Sequence, residues 1–338
     1  MGDVIKVKDI AEKCGCSVAT VSKALNNSKE LAQATIDLVN KVAKEMGYIP
    51  NGSARSLKQK RTYSIGILFV DNTSSGLQHE FFSMILDSVK VTCEKAGYDI
   101  TFLKNDTRMT YLEHARYRGV DGVIIASVNF HDPQVVELVQ SEVPTVTIDY
   151  VYNNATAIMS NNAEGMEQLV DFVLSKGHKR VAFIHGEGTE VTQKRIAGFY
   201  KSLKTHGIEV TQDMVIESDY HNPKAVGRIT KNLMSSELKP TCIFYPDDIS
   251  LLGGITALNQ LGYQIPDDIS VVGYDGISLS RYMRPMFTTY VQNTEEIGRL
   301  AASKLIERIE NPLTFLAEVI TVNGYVQEGA TILEPKHW

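Results

Sequence analysis

One short segment of the chain combines an apolar helical face with small, hydrogen-bonding side chains. Within Ser17–Leu25, apolar residues recur at spacings of three and four, and Ser17 is well placed to cap a helix. The opposite face carries Ala19, Thr20, Ser22 and Lys23. A helix that lies in the major groove of DNA needs such a slim outer surface, so this pattern favours DNA recognition. A three-helix bundle with a merely solvated face stays open as the alternative.

A second group of candidate residues lies where apolar, strand-like runs end. Three carboxylates stand at such ends, namely Asp149, Asp247 and Asp275. Ligands of open α/β sheets bind outside the carboxyl ends of the strands, where a carboxylate accepts hydrogen bonds from sugar hydroxyls. The guanidinium of Arg195 can hold two vicinal hydroxyls or a carboxylate, and the ring of Tyr220 can stack on a pyranose. For each residue by itself, the alternative is a helix cap or a core position.

The elements that would position these residues follow two different patterns. The first 48 residues contain three helical segments, Lys8–Lys13, Ser17–Leu25 and Gln33–Met46. From residue 64 onward, apolar strand-like runs alternate with helices, which implies parallel sheets covered on both faces. Runs near residues 65, 100, 123 and 146 form one set, and runs near 182, 215, 243 and 271 form another. We therefore predict an α-helical helix-turn-helix headpiece and an α/β core of two doubly wound parallel-sheet lobes.

Charge and composition narrow the class of protein. The chain has 338 residues and a net charge of −6, but residues 1–60 contain ten Lys or Arg against six Asp or Glu, which suggests contact with phosphate. The first residues do not follow the pattern of a secretory signal, so we expect none, and the sequence has no run of about 18 apolar residues. The four cysteines, the eight histidines and Gly186–Gly188 lack the spacing of zinc, metalloenzyme or dinucleotide sites. We expect a cytoplasmic protein that is no enzyme, uses no cofactor or metal and binds no membrane.

Several segments, in the right order, resemble the LacI/GalR family of bacterial transcriptional regulators. The headpiece of the family is similar to Ile5–Asn27, Ala43–Asn51 and Ala54–Leu57. Its core is similar to Val120–Ile125, Gly177–Ile184 and Ile265–Asp275. The resemblance implies a core like that of periplasmic sugar-binding proteins, and a homodimer, since such heads contact half-sites related by two-fold symmetry.

The resemblance also implies where the domains begin and end. The helix-turn-helix headpiece would cover residues 1–49, a hinge helix and linker 50–61, and the effector-binding and dimerisation core 62–338. Within the core, the amino-terminal lobe would comprise about 62–160 plus 290–321, and the carboxyl-terminal lobe about 161–289 plus 322–333.

DNA contacts follow from the same resemblance. The base-contacting positions are occupied by Val18, Ala19 and Lys23. The positions that would contact phosphates are occupied by Thr20, Ser22 and Asn26. Lys23 replaces the commoner Arg, and a lysine lacks the bidentate fork that holds guanine, so the preference for guanine at that step weakens. Leu57, beside Arg55, matches the residue that the family's hinge helix inserts into the minor groove to unstack a base step.

The effector contacts are assigned in the same way. The family's effector-contacting positions are occupied by Asp149, Arg195, Tyr220, Asp247 and Asp275. Phe81 and Phe82 match the apolar wall of its pocket. Asp247 stands where the family usually has Asn, which removes two hydrogen-bond donors and makes the pocket unusually acidic.

The resemblance implies a sequence-specific repressor that binds a pseudo-palindromic operator as a homodimer. Its affinity for double-stranded DNA would be controlled allosterically by a small molecule, a sugar or sugar derivative, in the crevice between the lobes. An activator or a co-regulator-dependent regulator of the same family stays open. So does a cytoplasmic sugar-binding or sugar-modifying enzyme, which belongs to another class.

Overall fold

The computed structural model describes residues 5–25, 28, 30–49, 61–70, 76–104 and 108–336. The chain divides into two compact units, a headpiece (Met1–Thr62) and a core (Tyr63–Trp338). Each unit has an apolar interior of its own. Among the described residues, no helix has the length and apolar character needed to cross a membrane.

Among the described residues of the headpiece there are three helices, namely α1 (Val7–Cys14), α2 (Val18–Leu25) and α3 (Gln33–Glu45). α1 ends at Gly15, whose left-handed conformation (φ 63°) costs little in a residue without Cβ. α2 begins after Ser17, and the Ser17 Oγ accepts a hydrogen bond from the Thr20 amide at 3.0 Å, which confirms the predicted cap. The apolar faces of the helices meet in an interior that includes Ile10, Val21, Ala24 and Val39.

The amino-terminal lobe of the core is a six-stranded parallel sheet with helices on both faces. Its strands are β1 (Ser64–Phe69), β2 (Asp99–Leu103), β3 (Gly122–Ser127), β4 (Thr145–Ile148), β5 (Thr156–Ser160) and β11 (Val319–Val322). They lie in the order β11-β5-β4-β3-β1-β2. One face packs against α4 (Glu80–Lys95) and α12 (Thr294–Glu310), and the other against α5 (Tyr111–Arg118) and α6 (Pro133–Gln140). Burial on both faces explains why the central strands β1 and β3 are mostly apolar, whereas the edge strands β2 and β11 are partly exposed.

The carboxyl-terminal lobe has the same construction. Its strands are β6 (Val181–His185), β7 (Val215–Glu217), β8 (Cys242–Phe244), β9 (Ser270–Asp275), β10 (Thr288–Val291) and β12 (Tyr325–Gln327). They lie in the order β12-β10-β9-β8-β6-β7, and β12 alone among them is antiparallel to its neighbour. The covering helices are α7 (Asn162–Ser175) and α8 (Glu190–Thr205) on one face, and α9 (Pro223–Met234) and α10 (Asp248–Gln260) on the other. A short helix, α11 (Ser278–Tyr282), follows β9.

The chain passes between the two sheets after β5, after β10 and after β11. Two of these crossovers are joined directly, because the Asn161 side-chain amide donates to Asn323 Oδ1 at 2.8 Å. Lobe divisions were predicted at residues 290 and 322. In the structure, β10 ends at Val291 and β11 ends at Val322, and the chain crosses between the sheets after each of them.

The headpiece and the two-lobed α/β core confirm the predicted fold class. Within the described residues, the predicted helices and strands are present, with ends that differ by a few residues. The predicted hinge helix within 50–61 falls, apart from Arg61, on residues that the structure does not describe, so it stays a prediction. Sequence patterns did not predict α5, α11, α12, β5, β10, β11 and β12. In β5 and β10 the reason is that buried threonines, among them Thr156, Thr288 and Thr289, interrupt the apolar run.

Candidate functional site

The outer face of α2 is the first candidate surface. Val21 and Ala24 are buried in the headpiece interior, which leaves the opposite side of the helix accessible. Val18 is 50% exposed there, and Ala19 and Lys23 are exposed as well. One helical face therefore presents slim side chains and a cation, as contacts in the major groove require.

The structure describes only some of the residues that were predicted to contact phosphates or the minor groove. Thr20 and Ser22 are partly buried, and the Thr20 hydroxyl lies 2.8 Å from the Ser17 hydroxyl in the first turn of α2. Asn26, Arg55 and Leu57 lie outside the described residues, so their roles stay predictions.

Lys23 is engaged by a residue that sequence analysis did not predict. Its ammonium lies 2.5 Å from Glu30 Oε2, and the two side chains are 48% and 70% exposed. The hydrogen bond from Lys23 and its positive charge lower the pKa of the Glu30 carboxyl. Glu30 follows the end of α2, so no helical spacing brings it to Lys23. The cation at the predicted base-contacting position is therefore already paired with a carboxylate in this structure.

A cavity of about 770 Å³ lies between the two lobes of the core. Six of the seven predicted effector residues line it, namely Phe81, Phe82, Asp149, Arg195, Tyr220 and Asp275. Asp149 directly follows β4 and Asp275 ends β9, so carboxyl ends of strands from both sheets border the cavity. Such a volume falls within the range of about 300–1,000 Å³ that is usual for small-molecule sites.

Arg195, on α8, is held in one orientation. It is 4% exposed, and its Nε donates to Asn162 Oδ1 at 2.8 Å. One terminal nitrogen donates to the Pro246 carbonyl at 2.9 Å, and the other lies 3.5 Å from Asp275 Oδ1. The guanidinium carbon lies 3.6 Å from the centre of the Tyr274 ring, so the positive charge makes a favourable cation–π contact with that ring. A ligand that binds here meets a cation that has already lost its conformational freedom.

A chain of hydrogen bonds joins the carboxylates of the two lobes. The Gln292 amide donates to Asp275 Oδ1 at 2.7 Å, and the Ser160 hydroxyl donates to Gln292 Oε1. The Ser160 backbone amide then donates to Asp149 Oδ1 at 2.7 Å. Gln292 also lines the cavity. Sequence analysis missed it because β10, which it follows, was not predicted; a strand at 288–291 would have placed it at a carboxyl end.

Asp149 and Asp275 both lie on unusual backbone, and both have raised pKa values. Asp149 (φ 58°) and Asp275 (φ 95°) lie in the left-handed region, which residues with a Cβ rarely adopt. Such conformations persist where the surrounding structure enforces them, often at functional sites. Burial raises the pKa of Asp149 to about 6, against the Ser160 hydrogen bond and the charge of Arg195. Burial likewise raises the pKa of Asp275, against the charge of Arg195.

Asp247 does not line the cavity, contrary to expectation. Its Oδ1 accepts from the Ser250 amide at 2.7 Å, and its Oδ2 accepts from the Ser250 hydroxyl at 2.8 Å and from the His221 amide at 3.0 Å. The residue is 1% exposed. The expected effector contact is therefore corrected to a helix cap, which anchors the start of α10 to the loop before α9.

The apolar wall comes from the start of α4. The Phe82 ring packs against Phe69 with centroids 5.3 Å apart, and against Phe81 at 5.2 Å. Across the cavity, the Tyr220 hydroxyl lies 2.9 Å from Thr192 Oγ1. A Cβ at Gly186 would lie 2.2 Å from the Tyr220 ring, so any side chain at this position would displace the ring. Rings from both lobes thus border the ligand space.

Comparison with known proteins finds family matches for both the headpiece and the core. Residues 6–51 match the family of bacterial regulatory proteins, lacI family, and residues 170–331 match the periplasmic binding protein-like domain. The HTH-type transcriptional repressor PurR of Vibrio vulnificus is 31% identical, over 90% of this chain and 92% of its own. Such relatives are transcriptional regulators, which confirms the expectation that the chain is not an enzyme.

Solved structures show the same fold. The lac repressor dimer bound to operator and the anti-inducer ONPF has a TM-score of 0.83 and 23% identity, over 98% of this chain and 100% of that one. A LacI family transcriptional regulator from Enterococcus faecium with bound ribose has a TM-score of 0.71 and 26% identity, over 81% of this chain and 100% of that one.

Proposed function

Because the chain belongs to the lacI family of bacterial regulatory proteins, we propose that it is a transcriptional repressor controlled by a sugar or sugar derivative. It binds a pseudo-palindromic operator as a homodimer, with one headpiece on each half-site. The observation that carries the effector part is the fixed, buried Arg195–Asp275 pair that lines a cavity between the lobes.

In the proposed DNA complex, α2 lies in the major groove. Val18 and Ala19 make apolar contacts with base edges, and Lys23 supplies a point charge to an acceptor on guanine. Phosphates and the minor groove are contacted by Thr20, Ser22, Asn26, Arg55 and Leu57. Contacts with phosphate fix the register of the protein, whereas contacts with base edges carry the sequence preference.

In the proposed effector complex, sugar hydroxyls donate to Asp149 and Asp275 and accept from Arg195. The charges of these groups are already paired or hydrogen-bonded, so little reorganisation accompanies binding. Tyr220 and Phe82 border the ring from the two lobes. The ribose bound by the relative from Enterococcus faecium supports this ligand class.

The proposed coupling is a two-state change in the angle between the lobes. The lobes already touch beside the cavity, where the Ser278 amide donates to Glu80 Oε1 at 2.6 Å and the His79 and His221 ring centroids lie 3.7 Å apart. A ligand that contacts both lobes favours one angle over the other. The change in operator affinity then equals the difference in affinity of the ligand for the two states.

A thermal-shift screen of the full chain tests the proposal. The screen contains monosaccharides, disaccharides, sugar phosphates and nucleobases, and each hit is then added to an operator-binding titration. We expect a carbohydrate to raise Tm and to change operator affinity. Stabilisation by a nucleobase and by no carbohydrate would show that the sugar assignment is wrong. Transcription that is higher with the operator-bound protein than without the protein would show an activator.

A further inference from the structure

Two histidine rings from opposite lobes meet at the cavity. His79 directly precedes α4 in the amino-terminal lobe, and His221 lies in the loop before α9 in the carboxyl-terminal lobe. Their ring centroids are 3.7 Å apart, with an angle of 39° between the planes, and both residues line the cavity. We call them the histidine pair. Imidazole is the side chain whose charge changes nearest to neutral pH, so a contact made of two such rings depends on how many protons they hold.

Each ring of the histidine pair is held by its own lobe. His79 is 6% exposed, and its ring meets the Phe82 ring edge-on with centroids 4.8 Å apart. The His221 amide donates to Asp247 Oδ2 at 3.0 Å, and the His221 backbone lies in the left-handed region (φ 51°), which residues with a Cβ rarely adopt. Such a conformation persists where the surrounding structure enforces it. Because both positions are fixed within their lobes, the rings separate when the lobes separate.

A hydrogen bond between the lobes lies next to the histidine pair. Glu80, which follows His79, accepts at Oε1 from the Ser278 amide at 2.6 Å, and Ser278 begins α11 of the other lobe. The amide loses this acceptor when the lobes separate. Its exchange with solvent therefore reports on the contact that the histidine pair makes.

Charged groups surround the histidine pair on both lobes. Asp247 accepts from the His221 amide, and Glu187 Oε2 accepts from the neighbouring Tyr220 amide at 3.0 Å. Burial raises the pKa of Asp275, whereas a positive charge on His221 acts in the opposite direction. Because Asp247 and Asp275 belong to the same lobe as His221, we expect the first proton to bind His221 and to stay there whether or not the lobes touch. The other charged or imidazole side chains that border the pair or line the same cavity are Glu80, Asp149, Glu190, Lys194, Arg195 and His131.

A second proton would make His79 a cation beside the charged His221. Two like charges on rings 3.7 Å apart repel each other strongly, because little water reaches the buried His79 to screen them. The touching lobes therefore bind one proton on the histidine pair, whereas separated lobes can bind two. A state that binds more protons is favoured as the pH falls, so acid favours separation of the lobes.

We propose that the histidine pair makes the contact between the lobes sensitive to pH, so that the lobes touch near neutral pH and separate as the pH falls below about 6.5. One extra proton in the separated state favours separation about tenfold more at about pH 5.5 than at about pH 7.5. Protons then act on the same lobe angle as the proposed effector. The inference goes beyond the proposed function, because it concerns the unliganded protein and holds for an effector of any class.

Hydrogen exchange of the unliganded full chain tests the contact. The exchange rate of the Ser278 amide is measured at about pH 7.5 and about pH 5.5, and each rate is compared with that of an unstructured peptide at the same pH, which gives a protection factor. We expect protection of Ser278 to fall about five- to tenfold at the lower pH. The amides of β8 should keep their protection, since their hydrogen bonds lie within one sheet. Unchanged protection of Ser278, or an equal fall in β8, would overturn the proposal.

His79→Phe removes the site of the second proton. Phenylalanine keeps a flat ring but carries no charge, so the fall in Ser278 protection should shrink to less than about twofold. The matched control is His131→Phe, at another histidine that lines the cavity, whose ring meets Tyr150 of its own lobe edge-on at 5.7 Å. This control should keep the response of the original protein. A response that persists in His79→Phe, or vanishes in His131→Phe, would contradict the assignment to the histidine pair.

A second variant covers the case in which His79→Phe does not fold. His221→Asn removes the other ring, and asparagine tolerates the left-handed backbone at this position and does not titrate. It should lose the pH response as His79→Phe does, and a response of the original size in His221→Asn would equally overturn the proposal.

Operator affinity at the two pH values separates this inference from the proposed function. All eight histidines of the sequence lie at residue 79 or beyond, so the headpiece contributes none of its own. If Ser278 protection and operator affinity both respond to pH, and neither does in His79→Phe, the inference and the proposed coupling both stand. If Ser278 protection responds and operator affinity does not, the histidine pair stands while the proposed coupling of lobe angle to DNA binding fails.

Discussion

The headpiece and the core each contain an ion pair at a candidate binding surface. The headpiece pair is shorter but exposed, and the core pair is longer but buried. Lys23 and Glu30 lie 2.5 Å apart with side chains 48% and 70% exposed. Arg195 and Asp275 lie 3.5 Å apart with side chains 5% and 8% exposed. The shorter pair is the weaker one, because water and salt screen exposed charges, whereas buried charges interact through a medium of low dielectric.

The difference matches what each region has to do. An exposed lysine can leave its carboxylate for a DNA base or phosphate at small cost, so the headpiece pair is exchangeable. The buried guanidinium cannot leave its partners without exposing an unpaired charge in the interior. The core pair therefore fixes the geometry of the cavity, while the headpiece pair can open if Lys23 contacts DNA as proposed.

Removing the buried cation should have the largest effect. We expect Arg195→Met to lower the free energy of unfolding by about 3–5 kcal/mol, because Asp275 is left buried without its partner. It should also abolish stabilisation by any carbohydrate found in the screen. Urea denaturation and thermal shift with and without ligand measure the two effects.

The control for this variant is Arg228→Met, at an exposed arginine of α9 in the same lobe, which should change stability by no more than about 0.5 kcal/mol. Arg195→Lys keeps the charge without the bidentate fork, so it should recover stability in part but not ligand binding. Equal stability of the two methionine variants would contradict the ranking of the ion pairs.

Much of this arrangement could be predicted from residues along the chain. The strand-ending carboxylates Asp149 and Asp275 and the helix-borne Arg195 were predicted because strand ends and helix starts are local features. Asp247 looked the same in sequence, yet its carboxylate caps α10. A carboxylate before a helix can satisfy either role, and only the position of the Ser250 amide and hydroxyl decides between them.

Other parts of the site depend on contacts between distant segments. Phe130 lies between β3 and α6 and Tyr150 lies between β4 and β5, and their rings stack only because β3 and β4 pair in register. Glu30 reaches Lys23 because the chain turns after α2. No apolar periodicity encodes either approach, so both required the three-dimensional structure.

The next largest effect that we expect is a pH dependence of ligand affinity, caused by Asp149, the cavity carboxylate that follows β4 in the amino-terminal lobe. Burial raises the folded-state pKa of Asp149 from 3.8 to about 6, so the unliganded protein gains stability from this group as pH falls through about 6. Sugar hydroxyls donate best to the ionised form, so affinity should fall about three- to tenfold between about pH 7 and pH 5. Calorimetric titration across this range measures it.

Asp149→Asn isolates that group from the histidines that also line the cavity, His79, His131 and His221. The variant cannot titrate at this position, so the pH dependence attributed to Asp149 should disappear while any contribution of the histidines stays. Identical pH profiles for the two proteins would show that Asp149 does not receive a ligand hydroxyl.

Breaking the exposed Lys23–Glu30 pair should have the smallest effect. It should raise an affinity, whereas the changes predicted above lower stability or ligand affinity. Glu30→Gln frees Lys23 from its carboxylate, so we expect operator affinity to rise about two- to fivefold at low salt, and the gain to vanish near about 1 M salt. Asp37→Asn is the matched control, since it removes one exposed negative charge from α3 of the same headpiece. If Glu30→Gln raises operator affinity more than Asp37→Asn does, and this gain disappears when Lys23→Met is added, then the Lys23–Glu30 pair is its cause. Equal gains in the two single variants would mean that only net charge matters, and the contrast between an exchangeable and a fixed ion pair would then be unsupported in the headpiece.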